Sequence, residues 1–102
     1  MNLGKEFAAL SDASRRRVVA ELAAEPSDAE RACGSFELPI SKATRTHPFR
    51  VLREAGLLNQ RHHGNGTSVS LRRNEIKRRL PGLLPLLVQE PQRPRALNNK
   101  PQ

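Results

Sequence analysis

The chain has 102 residues, with 18 Lys and Arg against 10 Asp and Glu, a formal net charge of +8, 3% aromatic residues, one Cys and no Trp or Tyr. That length allows one small domain, and a single Cys excludes an intramolecular disulfide framework and a multi-Cys zinc finger, as expected in a reducing cytosol. With 36% hydrophobic residues and three Phe, the chain has few large side chains for a core, so association with a second copy is an expected stabiliser.

No stretch approaches the roughly 18 apolar residues of a membrane span. Met1 to Leu10 lacks the charged start and long apolar run of a secretory signal, so the chain reads as soluble and cytoplasmic. Its charge is unevenly placed. Residues 1–37 carry five basic and seven acidic side chains, or −2, and residues 38–102 carry thirteen basic and three acidic, or +10. Fourteen of the eighteen cations are Arg, the better residue for bidentate contacts to phosphate and guanine. On charge alone a polyanion partner and a merely solvated cationic surface both remain open.

In chain order, Leu3, Phe7 and Leu10 share one helical face and predict a short first helix. Ser11 and Asp12 supply capping oxygens for a second helix, Ala13 to Ala24, whose stripe of Val18, Val19, Leu22 and Ala23 lies opposite Arg15, Arg16, Arg17 and Glu21. Pro26 and Ser27 end it. Ser27 to Cys33 can form a third, shorter helix, with only Ala29, Ala32 and Cys33 as its apolar content. Gly34 interrupts, and the alternation of Phe36, Leu38 and Ile40 reads as extended.

Ser41 caps a further helix that runs to Ala55, with Phe49, Leu52 and Ala55 three apart and Gly56 as a C-terminal stop. Fifteen residues span about 22 Å, enough to lie along a major groove. The outer face, with Lys42, Thr44, Arg45, Thr46, Arg50 and Arg53, is cationic and rich in hydroxyls. Pro48 lies inside this run, where it cannot donate to the Thr44 carbonyl, and predicts a kink or a loosened first turn.

Asn59 to His63 and Thr67 to Arg72 predict a hairpin turning at Gly64-Asn65-Gly66, residues that tolerate the positive φ of tight turns. Asn74 caps a last helical stretch, Glu75 to Leu80. Pro81 can open a further turn, and Leu83, Leu84, Leu86, Leu87 and Val88 form the most apolar run, with Pro85 awkward in its middle. The folded domain is expected over residues 1–88, and residues 89–102, with Pro91, Pro94 and Pro101, predict a disordered tail.

Helices, then a cationic helix, then a hairpin with a Gly-rich tip form a mostly α fold with a small β-hairpin, the order of a winged helix-turn-helix. Ser41 to Leu58, SKATRTHPFRVLREAGLL, resembles the recognition helix and exit of the ArsR family of bacterial repressors. Phe7 to Leu22, FAALSDASRRRVVAEL, looks like that family's second-helix signature. The wing Arg61 to Arg73, RHHGNGTSVSLRR, followed by Leu80 to Leu87, LPGLLPLL, is similar to a metal-independent branch of it. The resemblance covers about residues 3–88.

The resemblance implies a homodimer that presents two recognition helices to a near-palindromic operator in double-stranded DNA and represses until a small-molecule effector releases it. Such a protein would be cytoplasmic in a bacterium and nucleoid-associated when bound. Ser41, Lys42, Thr44, Arg45, Thr46 and His47 are then the groove-facing residues, with Arg45 suited to guanine N7 and O6. Lys42, Arg50 and Arg53 suit phosphate contacts that set register; for Arg53 a simple solvated pairing with Glu54 or Glu37 is an equal reading. Arg61, His62, His63, Asn65 and Thr67 can follow the backbone or enter the minor groove, although His62 and His63, adjacent in a strand, face opposite sides. The expected DNA contacts on the wing are therefore Arg61, His63, Asn65 and Thr67, and the expected dimer contacts are Leu3, Phe7, Leu83, Leu84 and Leu87.

Many ArsR relatives sense metals through clustered thiolates or through Asp and His on the last helix. Glu75 to Val88 contains no His, Asp or Cys, and Cys33 has no second thiol near it, so no metal and no cofactor are expected. Cys33 reads as a small core residue. No Ser/His/Asp, Cys/His or paired-carboxylate arrangement comes with a supporting motif, and no enzymatic activity is expected. The alternative functional reading is a basic RNA-associated or protein-interaction module that keeps the fold after operator binding has decayed. The aromatic shortage argues against single-strand RNA readers, which stack bases on aromatic rings.

Overall fold

The computed structural model describes residues 2–25, 30–38 and 46–91. Helix α1, Leu3–Ala9, starts where the Asn2 side chain accepts from the Lys5 amide at 3.0 Å. Helix α2, Ala13–Ala24, starts where Asp12 accepts from the Arg15 amide at 3.1 Å. Each cap satisfies one of the amides left without an intrahelical partner. Ser11, expected to share the capping of α2, instead donates to the Ala8 carbonyl at the end of α1. Val18, Val19 and Leu22 on α2 are buried.

The expected third helix is corrected where it is described. Arg31–Ala32 forms a short strand, β1, and Cys33–Ser35 a single 3-10 turn. Two small apolar residues and a Cys cannot hold a helical face on the core, whereas β1 pairs with an edge strand that would otherwise leave its hydrogen-bonding groups open. Beyond the turn, Phe36 and Leu38 are both buried, as their alternation implies.

Helix α3 spans Thr46–Glu54. Its exit matches the expectation closely: Gly56 has φ 85°, its amide reaches the Arg53 carbonyl at 3.0 Å, and the Leu57 amide reaches Leu52 at 3.0 Å. This paired closure needs a residue at positive φ, which glycine adopts without steric cost. Pro48 is the third residue of α3 and is buried; Thr44, whose carbonyl it was expected to orphan, lies outside the described residues.

Strands β2, Leu58–His63, and β3, Gly66–Leu71, form the hairpin in antiparallel register from Leu58 opposite Leu71 to His63 opposite Gly66. The turn is therefore Gly64-Asn65 alone, and neither Gly64 nor Gly66 lies in the left-handed region that the turn was expected to use. Strand β1 adds to the other edge of β3, with Arg31 opposite Val69, giving the order β1-β3-β2.

Helix α4 spans Arg73–Arg79. Asn74 sits inside its first turn rather than capping it, because the Arg72 carbonyl already accepts from Ile76 at 3.0 Å while the Arg72 amide is tied to Leu57. Helix α5, Leu83–Gln89, follows Gly82 at φ 87°. Pro85 thus falls in the first turn, where an amide would have no intrahelical partner, and its expected disruption of the run does not arise. The single Nε–H of Arg16 is shared between the two Glu90 oxygens, each at 3.1 Å, so ordered packing passes the expected boundary at residue 88. The rest of the expected tail, 92–102, lies outside the described residues.

The core gathers Val18, Val19, Leu22, Phe36, Leu38, Leu52, Leu57, Val69 and Ile76 between α2, α3 and the sheet, closed by Leu84 and Leu87 from α5. The Phe36 and Phe49 rings meet at 5.4 Å with their planes tilted by 55°, an arrangement favoured by aromatic quadrupoles. One carboxylate is wholly inside: Glu6 on α1 is 0% exposed and paired with Arg79 on α4 at 3.2 Å.

Candidate nucleic-acid interface

On α3 the apolar side, Pro48, Phe49 and Leu52, is buried, and His47, Arg50, Arg53 and Glu54 are exposed. The spacing of 47, 50 and 54 places these residues along one outer face. Among the described residues Arg50 has no ion pair, and Arg53 has only a 4.0 Å approach to its neighbour Glu54. A cation without an internal partner keeps its full capacity for an external anion. Of the other expected groove residues, Ser41, Lys42, Thr44, Arg45 and the side chain of Thr46 lie outside the described residues.

The wing faces α3 across a groove of about 910 Å³ lined by Phe49, Arg50 and Arg53 on the helix side and by His63, Asn65 and Ser68 on the hairpin side. His63, Asn65 and Thr67, all expected site residues, line this groove, while His47 and Arg61 lie outside its wall. His62 and His63 diverge as adjacent strand residues must: the His62 ring contacts the Thr67 hydroxyl at 3.2 Å, and the His63 ring contacts Ser68 at 2.9 Å.

Glu30, which sequence reasoning left without a role, lies against the wing. Its carboxylate accepts from Ser68 Oγ at 2.9 Å and from Arg61 at 3.0 Å, and lies 3.6 Å from His63 Nε2. The Ser68 proton is committed to Glu30, so the Ser68 oxygen accepts from His63 and Nε2 carries the ring proton. The Ser68 hydrogen bond, followed by Arg61 and His63, outweighs desolvation and holds the Glu30 carboxyl below its ordinary value of 4.5. No local pattern could reveal this cluster, because Glu30 is 31 residues from Arg61 and 38 from Ser68.

The remaining expected residues divide by burial. Leu3 and Phe7 are exposed at 48% and 58%, Leu83 is half-buried, and Leu84 and Leu87 belong to the core of the chain itself. Leu86 and Val88, members of the apolar run but not among the expected dimer contacts, are exposed at 65% and 46%. Cys33 lines the groove as a half-buried free thiol whose pKa is raised by burial, which disfavours the reactive thiolate. Among the described residues no three His, Cys, Asp or Glu side chains come together in a way that could hold a metal ion, and no helix is long and apolar enough to cross a membrane.

A mostly helical chain with a three-stranded antiparallel sheet, a cationic helix and a hairpin beside it is compatible with a winged helix-turn-helix. No family model matches the chain. It belongs to the helix-turn-helix transcriptional regulators: over 83 residues, 79% of this chain and 81% of the relative, it is 39% identical to the uncharacterized HTH-type transcriptional regulator YceK of Bacillus subtilis (strain 168).

Proposed function

We propose that the chain is a DNA-binding repressor of the ArsR type that binds a near-palindromic operator as a homodimer. The observation that carries this reading is the outer face of α3, where Arg50 stands exposed with no ion pair among the described residues and borders a groove whose far wall is the wing. In this reading α3 and the residues before it enter the major groove. Ser41, Thr44, Arg45, Thr46 and His47 meet base edges, and Lys42, Arg50 and Arg53 hold phosphates. Arg61, His63, Asn65 and Thr67 of the wing follow the neighbouring backbone.

The dimer forms through the first and last helices. Leu3 and Phe7 on α1 and Leu86 and Val88 on α5 are exposed large apolar residues in a chain with few such residues, and covering them is the favourable step. Leu83 flanks this surface, while Leu84 and Leu87 support it from within. The protein acts in the cytoplasm, on the nucleoid when bound, and a small-molecule effector releases it. It has no enzymatic role and needs no metal or cofactor.

Footprinting of the purified protein at low salt on the DNA flanking its own gene tests this reading. Protection of a site with two related half-sites is expected, and Arg45→Ala should lose preference for that site over random duplex. Absence of protection anywhere in the flanking DNA would overturn it.

A further inference from the structure

Arg61, His63 and Ser68 together make a small anion site in the wing, and in the free protein its occupant is Glu30. Both Glu30 oxygens are engaged: Oε1 accepts from the Ser68 hydroxyl at 2.9 Å, and Oε2 accepts from Arg61 at 3.0 Å. His63 supports the arrangement from behind, donating to the Ser68 oxygen. The hydroxyl is fixed in place, since Ser68 is only 6% exposed, whereas the Arg61 side chain is 68% exposed. The site therefore has one rigid donor and one donor that can turn outward.

We propose that this is a phosphate site of the wing and that Glu30 is its internal competitor: a DNA phosphodiester displaces the carboxylate from Arg61 and Ser68 when the duplex binds. The proposal rests on the reading that the wing faces duplex DNA. A carboxylate and a phosphodiester each present two oxygens sharing one negative charge, so the donor set suits either. The exposed Arg61–Glu30 pair is weakly held, and its exchange for a phosphate is favoured by release of counterions from the DNA. Glu30 thereby lowers the affinity for any duplex by the cost of breaking its contacts with Arg61 and Ser68, without touching a base.

The experiment is a salt titration of binding to a random-sequence duplex by the parent, Glu30→Gln, Arg61→Ala and the double variant. Glu30→Gln keeps the side-chain shape and removes the charge. It is expected to bind about threefold more tightly while keeping the parent's log–log salt slope, because Arg61 meets a phosphate in both complexes, whereas Arg61→Ala should flatten that slope by about 0.9 per subunit. In the Arg61→Ala background the same change should give little gain. An equal gain in both backgrounds would mean simple repulsion between Glu30 and DNA and would overturn the proposal. A Glu30→Gln protein with the parent's affinity, or with a steeper salt slope, would show that Glu30 is not displaced from Arg61 by the duplex and would overturn the proposal. If none of the four proteins bound duplex, both this proposal and the proposed function would fall.

Discussion

Arg15, Arg16 and Arg17 on α2 and Arg50 and Arg53 on α3 look alike in sequence, each a cationic cluster on the polar side of an amphipathic helix. Their surroundings differ. Arg15 donates to the Ala9 carbonyl at 2.6 Å and closes the end of α1, Arg16 holds Glu90 and the Leu10 carbonyl, and Arg17 pairs with Glu21 at 3.0 Å. Arg50 has no ion pair among the described residues, and Arg53 has only the loose approach to Glu54. Arg15 and Arg16 tie α2 to its neighbours and Arg17 is paired within α2, whereas Arg50 is open to an outside anion. Cation count therefore does not measure a polyanion surface; what decides is whether each charge already has a partner.

The same comparison changes the meaning of the uneven charge along the chain. The first 37 residues are net acidic and the remainder strongly basic, yet in space the two parts partly neutralise one another. Glu6 takes Arg79, and Glu30 takes Arg61. Among the described residues, Arg50 on α3 is a cation that no such acid reaches.

The strongest way to test the internal class of arginines is Arg79→Ala, which would leave the Glu6 carboxylate buried without its partner. Glu6 is buried but Arg79 is partly exposed, so a loss of about 2 kcal/mol, below that of a wholly buried pair, is expected in the urea midpoint. Arg16→Ala removes a half-exposed contact to Glu90 and a carbonyl hydrogen bond. A smaller loss, about 1 kcal/mol, is expected in the same measurement.

The smallest effect is on pH dependence. Glu30 and Glu75 are both held below their ordinary value of 4.5, Glu30 first by the Ser68 hydrogen bond and Glu75 first by the hydrogen bond from Arg78. A carboxyl lowered on folding stabilises the chain above its unfolded value, and that contribution disappears as pH falls through the folded one. On their account stability should be level from about pH 8 to 5 and decline in stronger acid. The decline should be smaller in a Glu30→Gln, Glu75→Gln double variant; an identical acid limb in parent and variant would contradict this.

Much of the fold was legible because its signals are local. Asp12 begins α2, the Val18, Val19 and Leu22 stripe is buried, and Gly56 ends α3 through its positive φ. What was not legible depends on distant partners. A two-residue strand such as Arg31–Ala32 has no periodicity to detect and exists because β3 has an open edge. Asn74 looked like a cap, but the hydrogen bond between the Arg72 amide and Leu57 starts the helix earlier. At the candidate site, the exposed side of α3 followed from its spacing, whereas Glu30 is brought to the wing by β1. The distant partners of the α2 arginines were hidden for the same reason: Arg16 finds Glu90 74 residues away.

The most direct test of the account is the salt dependence of duplex binding by the parent, Arg50→Ala and Arg16→Ala, each at a concentration and temperature where it is folded. Arg50→Ala is expected to bind all duplexes more weakly and to flatten the log–log salt slope by about 0.9 per subunit, with its urea midpoint unchanged. Arg16→Ala is expected to keep the parent's slope. An Arg50→Ala protein with the parent's affinity and slope, or an Arg16→Ala protein with an equally flattened slope, would contradict the assignment of α3 as the DNA-facing helix.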